Sequence, residues 1–259
     1  MSNKETLLGE VGKKIPIDKV YDDVMHPVLS EVGNKLEGLV RVSLAPISAL
    51  VWGYDKVASY LDKEIPKYFE SRKISKEKMQ TPPAEIAVPT IEAMRYANKG
   101  ILKQMYVDLL GASMNVDTAE FVHPSYVEII RQLTPDEAKL LKILPRKGLH
   151  EPLVSIHIEK PNVKGQFVFY SNCGILGFEA GCEFPHRISL YIDNLIRLSL
   201  VRVPENSYLI DEWRYDKIIN SDYYQRLKTE AEQLGEVFCS KQMVGLTDYG
   251  MQFREICLT

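Results

Sequence analysis

Cysteine is scarce in this chain of 259 residues. The four cysteines are Cys173, Cys182, Cys239 and Cys257. A structural zinc site needs four nitrogen or sulfur ligands, usually paired at short spacing. Cys173, Cys182 and His186 are spaced C-x8-C-x3-H instead, which does not fit that pattern. We therefore expect reduced thiols, no metal site and no cofactor.

Long hydrophobic runs are also missing. The first residues, "MSNKETLLGEVGKKIPIDKV", contain no apolar run of about 7–15 residues, which a secretory signal would need. Only 13 uncharged residues separate Arg41 from Asp55, and Pro46 interrupts them. A helix that spans a bilayer needs about 20 apolar residues. These absences predict a cytoplasmic protein without a permanent transmembrane helix, and peripheral association with the inner membrane stays open.

An excess of positive charge is absent as well. The formal net charge is −3, and the sequence pI is about 6.0. A protein that neutralises nucleic-acid phosphates is usually more basic. We therefore do not expect nucleic acid as a partner, although a local basic patch stays open.

Catalytic signatures are the last notable absence. The sequence contains no G-x-S-x-G, phosphate-binding glycine loop, H-E-x-x-H or dinucleotide fingerprint. The chain is therefore predicted not to be an enzyme. His123 and His157 are the candidate general bases of the enzyme hypothesis that we rank last.

The first half of the sequence is dominated by helical periodicity. Residues 18–62 are predicted to be helical, and from Leu36 onward apolar residues recur at steps of three and four, which predicts an amphipathic helix. Pro27 and Pro46 interrupt this segment, and each removes a backbone donor. Charges and then prolines follow over residues 61–89, which indicate a short exposed helix and then an extended connection. We predict an amphipathic helical region with a charged linker over residues 1–80 and a helical region over residues 81–133.

The sequence pattern changes from helical to mixed helix and strand after a strongly marked helix start. Thr134, a following proline and Glu137 form a capping-box pattern. The sequence "PLVSIHIEK" then alternates like a strand, and "HRISLYIDNLIRLSL" predicts an amphipathic helix. Near the carboxyl end, Thr247 is expected to cap a short helix. The predicted fold class is mainly α, with a helical amino-terminal half followed by an α+β winged-helix-like domain over residues 134–259. A recognition helix in such a domain would offer Arg187, Asn194 and Arg197 to DNA.

The apolar stretch around residue 50 has two interpretations. It is either the core of a helical bundle or an amphipathic face that lies in a membrane interface after release. A tryptophan and a tyrosine at its end suit an interface, whereas a broad apolar stripe usually marks tertiary packing. The candidate membrane-binding or partner-binding face consists of Leu44, Ile47, Leu50, Val51, Trp52 and Tyr54.

Five segments of the sequence occur in the same order as in a known family. They are "LAPISALVWGYDKVASYL", "TPPAEIAVPTIEAMRYA", "LLGASM", "HPSYVEIIRQLTPDEAKLLKIL" and "GLTDYGMQFREIC". On these segments the chain resembles the Abi-alpha family of bacterial abortive-infection proteins. The resemblance implies a role in phage defence, in which an infected cell stops before progeny emerge. It supplies no catalytic residues.

The leading functional hypothesis is therefore a non-enzymatic anti-phage defence protein. It would act through contact with a protein partner or a phage component, with membrane perturbation by residues 36–61 as a candidate killing step. A homo-oligomer and contact with a membrane surface are further partner hypotheses. The alternative is a winged-helix-type DNA-binding regulator or an adaptor protein.

Overall fold

A computed structural model describes most of the chain. The described residues are 36–48, 51, 54–97, 100–146, 148–161 and 163–258. Residues 18–35 of the helix predicted over residues 18–62 lie outside this part, as do Leu50 and Trp52 of the candidate face.

The first half of the described chain is helical. Two 3-10 turns, Lys76–Lys78 and Ala119–Phe121, lie in its connections. The helices are α1 (Leu36–Ser48), α2 (Asp55–Ser71), α3 (Ala84–Met94), α4 (Ile101–Ser113), α5 (Ser125–Gln132) and α6 (Pro135–Ile143).

Prolines interrupt these helices less than the sequence predicts. Pro46, Pro66 and Pro89 all lie inside helices. The extended connection expected up to residue 89 is therefore wrong at its end, because α3 begins at Ala84. A proline removes one backbone donor, but burial of the apolar face of a helix can outweigh that loss. Likewise α2 is not an exposed helix, since one of its faces is buried.

Helix α4 lies at the centre of the helical part. Its last nine residues, from Met105 to Ser113, are all buried. A helix that is buried on every side makes contacts all round, and α4 packs against α2, α3, α5 and α6. The position of α4 thus explains why its sequence shows only a weak amphipathic pattern.

The second half combines helices with a small sheet. A 3-10 turn at Pro185–Arg187 precedes α8. All pairings are antiparallel, in the strand order β2-β1-β4-β3. The elements are β1 (Glu151–Glu159), β2 (Gln166–Cys173), α7 (Leu176–Glu179), α8 (Ile188–Arg197), β3 (Val201–Arg202), α9 (Glu212–Ile219), α10 (Asp222–Glu232), β4 (Glu236–Leu246) and α11 (Asp248–Cys257).

Several local predictions are confirmed. The capping box forms, because the Thr134 side chain accepts the Glu137 N–H and the Glu137 carboxylate accepts the Thr134 N–H. The predicted strand lies at β1, and Thr247 caps the final helix. The fold is mainly helical with a four-stranded antiparallel sheet near the carboxyl end. Helices α9 and α10 were not predicted, and the domain boundaries drawn at residues 80 and 133 stay a prediction.

The final helix joins the sheet to the helical part. Helix α11 packs on α4, and the ring centroids of Phe253 and Tyr126 are 5.2 Å apart. The Arg254 guanidinium also donates to the Leu144 carbonyl at the end of α6. One continuous set of buried apolar residues therefore runs through both halves.

Candidate partner-binding site

The predicted face, which begins on α1 and continues beyond it, is buried or half-buried wherever the structure describes it. Leu44, Ile47 and Val51 are buried in the hydrophobic core. Tyr54 is half-buried, and burial raises the pKa of its phenol to about 12. Contact of this face with a membrane or a partner stays a prediction, and it requires α1 to leave its neighbours.

Polar contacts contribute to holding α1 and α2 in place. Arg41 on α1 pairs with Asp62 on α2 at 2.9 Å. The Lys103 ammonium of α4 lies 4.3 Å from the centroid of the Tyr60 ring of α2. Such contacts between cations and rings contribute about 0.5–1 kcal/mol at exposed positions. The two-helix unit thus combines an apolar face with polar attachments.

The two candidate histidines have neighbours that explain them structurally. His123 Nδ1 lies 2.6 Å from Ser125 Oγ and accepts the Ser125 N–H, at the start of α5. Ser125 Oγ also bonds the Tyr249 hydroxyl of α11. His157 Nε2 lies 2.8 Å from Ser240 Oγ, across the β1–β4 pair. These contacts link the start of α5 to α11 and cross-link two strands of the sheet.

The cysteines carry no disulfide among the residues that the structure describes. Cys173 is buried, and burial raises the pKa of its thiol to about 12. The same cause raises the pKa of Cys182 to about 11. Within the described ranges, no group of three or more histidine, cysteine, aspartate or glutamate side chains could hold a metal ion.

The proposed DNA-contacting side chains on and before α8 have partners within the chain. Asn194 donates to Glu137 Oε1 at 2.8 Å, and Arg197 donates to Gln132 Oε1 at 2.9 Å. The Arg187 guanidinium lies 4.8 Å from the centroid of a neighbouring phenylalanine ring. Two of the three side chains therefore join α8 to the α5–α6 region.

Three large exposed side chains lie in the loop before α9 and in the first turn of α9. Ile210 is 91% exposed, Tyr208 is 59% exposed and Trp213 is 58% exposed. The loop is nevertheless anchored, because the Leu209 N–H donates to the hydroxyl of the buried Tyr215 at 2.8 Å. Exposed single apolar residues are ordinary, but an anchored group of three large ones is typical of an interaction surface.

A groove of about 360 Å³ lies beside this loop. Pro152, Ile175 and Leu176 provide apolar lining, and Trp213 stands at its side. Tryptophan is a frequent anchor of protein interfaces, since it combines a large apolar area with little loss of conformational entropy. We call this feature, together with the loop, the Trp213 groove.

The charged residues of the Trp213 groove fall into three groups. Arg214 is neutralised inside the protein, since it pairs with Glu151 at 2.6 Å and donates to the His150 carbonyl. Glu179 and Asp211 are exposed, and neither carboxylate has an ion pair in the part of the chain described here. Lys217 is the remaining charged residue of the lining, and its ammonium lies 5.2 Å from the centroid of the Trp213 ring.

The sequence-based search missed the Trp213 groove. A weak signal was present in "SYLIDEWR", residues 207–214, where large apolar residues sit among charges and fit no helical stripe. Such residues belong to no apolar face of a local helix or strand. They therefore either pack against another element in the core or remain exposed at the surface. Only the folded chain distinguishes these two outcomes.

The fold is mainly helical, and it carries an exposed apolar group beside a groove. A family profile described as "Abortive infection alpha" matches residues 54–257. The chain belongs to this abortive-infection family, as the five sequence segments predict.

Other comparisons add little. No curated protein matches the chain. A solved structure, described as an uncharacterized protein from the hydrocarbon-degrading marine bacterium Alcanivorax borkumensis SK2, is 21% identical. That match covers 56% of this chain and 96% of the other, with a TM-score of 0.37. Within the described residues, no helix has the length and apolar character needed to cross a bilayer.

Proposed function

We propose that this chain is a non-enzymatic anti-phage protein that acts by docking a protein partner in the Trp213 groove. Family membership supports the role in abortive infection. The observation that carries the docking step is the anchored exposure of Ile210 and Trp213 beside a groove with an apolar floor. Water leaves both surfaces when a partner covers such a patch, which favours association.

A plaque assay tests the docking step. Cells that produce the chain are infected with a phage that it restricts, and plating efficiency is compared among variants. Trp213→Ala removes the anchor, whose loss from an interface costs about 2 kcal/mol, or roughly 30-fold in Kd. We expect Trp213→Ala and Ile210→Ser each to raise plating efficiency toward that of unprotected cells.

A matched control separates docking from folding. Leu234 is also large, apolar and about half exposed, but it does not line the Trp213 groove. We expect Leu234→Ser to keep full protection. Thermal unfolding of all three variants should match that of the parent chain, since exposed side chains contribute little to stability. Full protection by Trp213→Ala at normal protein level contradicts the proposal.

Membrane perturbation by residues 36–61 is a second step that we propose for the same protein. The observation that favours it is the combination of a large apolar face on α1 and α2 with polar attachments to α4. Release of the two helices would expose that face, which could then lie in a membrane interface. A leakage assay with anionic vesicles tests this step, and a parent chain that causes no leakage under any condition contradicts it.

We also propose that residues 134–259 form a winged-helix-like adaptor rather than a DNA reader. The antiparallel hairpin of β1 and β2, and α8 beside it, support the comparison with that class. Asn194 and Arg197 serve internal contacts, which supports an adaptor role. Salt-sensitive binding to duplex DNA at low ionic strength would restore the regulator hypothesis.

A further inference from the structure

We infer that the partner presents an arginine side chain to the Trp213 groove, which holds its guanidinium between Glu179 and Asp211. This inference rests on the proposed function, because it specifies the chemistry of the docked partner. It follows from the shape of the groove, from its charges and from the aromatic ring at its side.

The apolar floor suits the stem of a long cationic side chain. Pro152 and Leu176 are buried, and Ile175 is half-buried, so the base of the groove offers hydrocarbon contact. Arginine buries its methylene stem along such a surface and keeps its charged end near water. A volume of about 360 Å³ has room for one long side chain with its neighbouring backbone.

The two carboxylates provide acceptors on separate elements. Glu179 ends α7, and Asp211 lies in the loop before α9. No other ionic contact engages either carboxylate in the described ranges, so both are available to a ligand. A planar guanidinium has five donors in a fixed fork and can serve two carboxylates at once, whereas an ammonium is a compact point charge.

The indole supplies the third contact. The Lys217 ammonium already lies 5.2 Å from the Trp213 ring centroid, so the ring is placed where a cation can approach it. Guanidinium groups stack on aromatic faces more readily than ammonium groups do. An incoming arginine can therefore share the exposed indole with Lys217 while the carboxylates offset the added charge.

Binding of three capped tripeptides to the full chain tests the inference. The probes are acetyl-Leu-Xaa-Leu-amide with arginine, lysine or citrulline at the centre. Citrulline has nearly the shape of arginine but no charge. Binding is followed at millimolar peptide through the indole N–H signal of Trp213, which Trp213→Phe identifies. We expect the arginine peptide to bind about tenfold more tightly than the citrulline peptide and a few-fold more tightly than the lysine peptide.

Variants of Glu179 and Asp211 test whether these two carboxylates cause the preference for arginine. The double variant Glu179→Gln, Asp211→Asn should bind the arginine and citrulline peptides equally, whereas Glu230→Gln, on the exposed side of α10, should keep the preference. Equal binding of the arginine and citrulline peptides by the parent chain overturns the inference, as does no binding by any peptide. A preference for the arginine peptide over the citrulline peptide that persists in the double variant also overturns the inference.

The plaque assay distinguishes failure of the inference from failure of the proposed function. If Trp213→Ala abolishes protection and the double variant keeps it, docking stands and the arginine inference fails. If both variants abolish protection, both ideas are supported. If neither variant changes protection, both ideas fail together.

Discussion

The guanidinium of Arg72 lies 3.4 Å from the carboxylate of Asp108, a buried residue of α4. The Asp108 side chain is only 3% exposed, and Gln104 donates a second hydrogen bond to it at 3.2 Å. Burial raises the pKa of Asp108 to about 6, although Gln104 and Arg72 act in the opposite direction. The α2–α4 contact thus contains a charge that the core disfavours.

This charge predicts a pH dependence of stability. The folded-state pKa of Asp108, about 6, lies above the ordinary value of 3.8. The protonated Asp108 carboxyl therefore makes its full contribution to the stability of the folded chain below about pH 4. This contribution is lost as the pH rises through about 6. We expect Asp108→Asn to raise the free energy of unfolding by about 1–3 kcal/mol at pH 8. The gain should be about a third as large at pH 4.5, which lies only slightly above the ordinary pKa of the carboxyl.

Urea unfolding at both pH values measures the effect. Asp117→Asn is the control, because Asp117 is exposed and pairs with Lys78 on the surface. That variant should change stability little at either pH. An Asp108→Asn chain that is less stable than the parent at pH 8 contradicts the account of the α2–α4 contact.

Close approach of α2 to α4 depends on Gly111. A Cβ atom built on Gly111 would lie 2.6 Å from the Cγ atom of the Tyr68 ring. Gly111→Ala should therefore destabilise the chain by about 1–3 kcal/mol, because the ring must move. The double variant Tyr68→Leu, Gly111→Ala should lose less stability than the sum of the two single variants. Additive losses would show that the two residues do not press on each other.

The same short distance allows a test of helix release. Since Cγ lies one bond from Cβ, cysteines at positions 68 and 111 place their Cβ atoms within the reach of a disulfide. If membrane contact requires α2 to leave α4, the oxidised Tyr68→Cys, Gly111→Cys chain should cause no vesicle leakage. Its reduced form should match the parent chain.

Peptide mapping establishes that the disulfide joins positions 68 and 111. Each single-cysteine variant serves as a control under the same oxidising conditions. Equal leakage by the oxidised and reduced double variants shows that membrane contact does not involve release of α2.

Asp136, at the start of α6, binds the segment that follows α7 through hydrogen bonds. Its carboxylate accepts the backbone N–H groups of Glu183 and Phe184 and the hydroxyl of Tyr191. Burial alone raises the pKa of Asp136, but these bonds outweigh that effect and lower the pKa to about 2. The group therefore stabilises the fold above about pH 4, and this stability is lost as the pH falls through about 2.

Removal of this carboxylate leaves several donors without a partner. Asp136→Ala should lower the free energy of unfolding by about 2–4 kcal/mol at pH 7, measured by urea unfolding. Asp216→Ala, on the exposed side of α9, is the control and should have little effect. A small loss for Asp136→Ala would show that water replaces its bonds.

The sequence predicts local structure better than the functional surface. The Thr134 capping box and the Thr247 cap involve neighbours three residues apart, so the pattern alone identifies them. Asp136 appears in the sequence only as a first-turn acid, whereas its main partners lie more than 40 residues away. Trp213 is exposed beside a loop that the ring hydroxyl of Tyr215 holds in place. Such relationships depend on tertiary contacts, which periodicity does not encode.

Site-specific photo-crosslinking in infected cells tests the docking claim most directly. An aromatic photoreactive amino acid, which keeps a large apolar ring in place of the indole, replaces Trp213 in one strain and the matched surface residue Leu234 in another. The account predicts one discrete protein adduct from position 213, none from position 234, and loss of the adduct when Ile210→Ser is added. No adduct from position 213, or the same adduct from both positions, would contradict docking in the Trp213 groove.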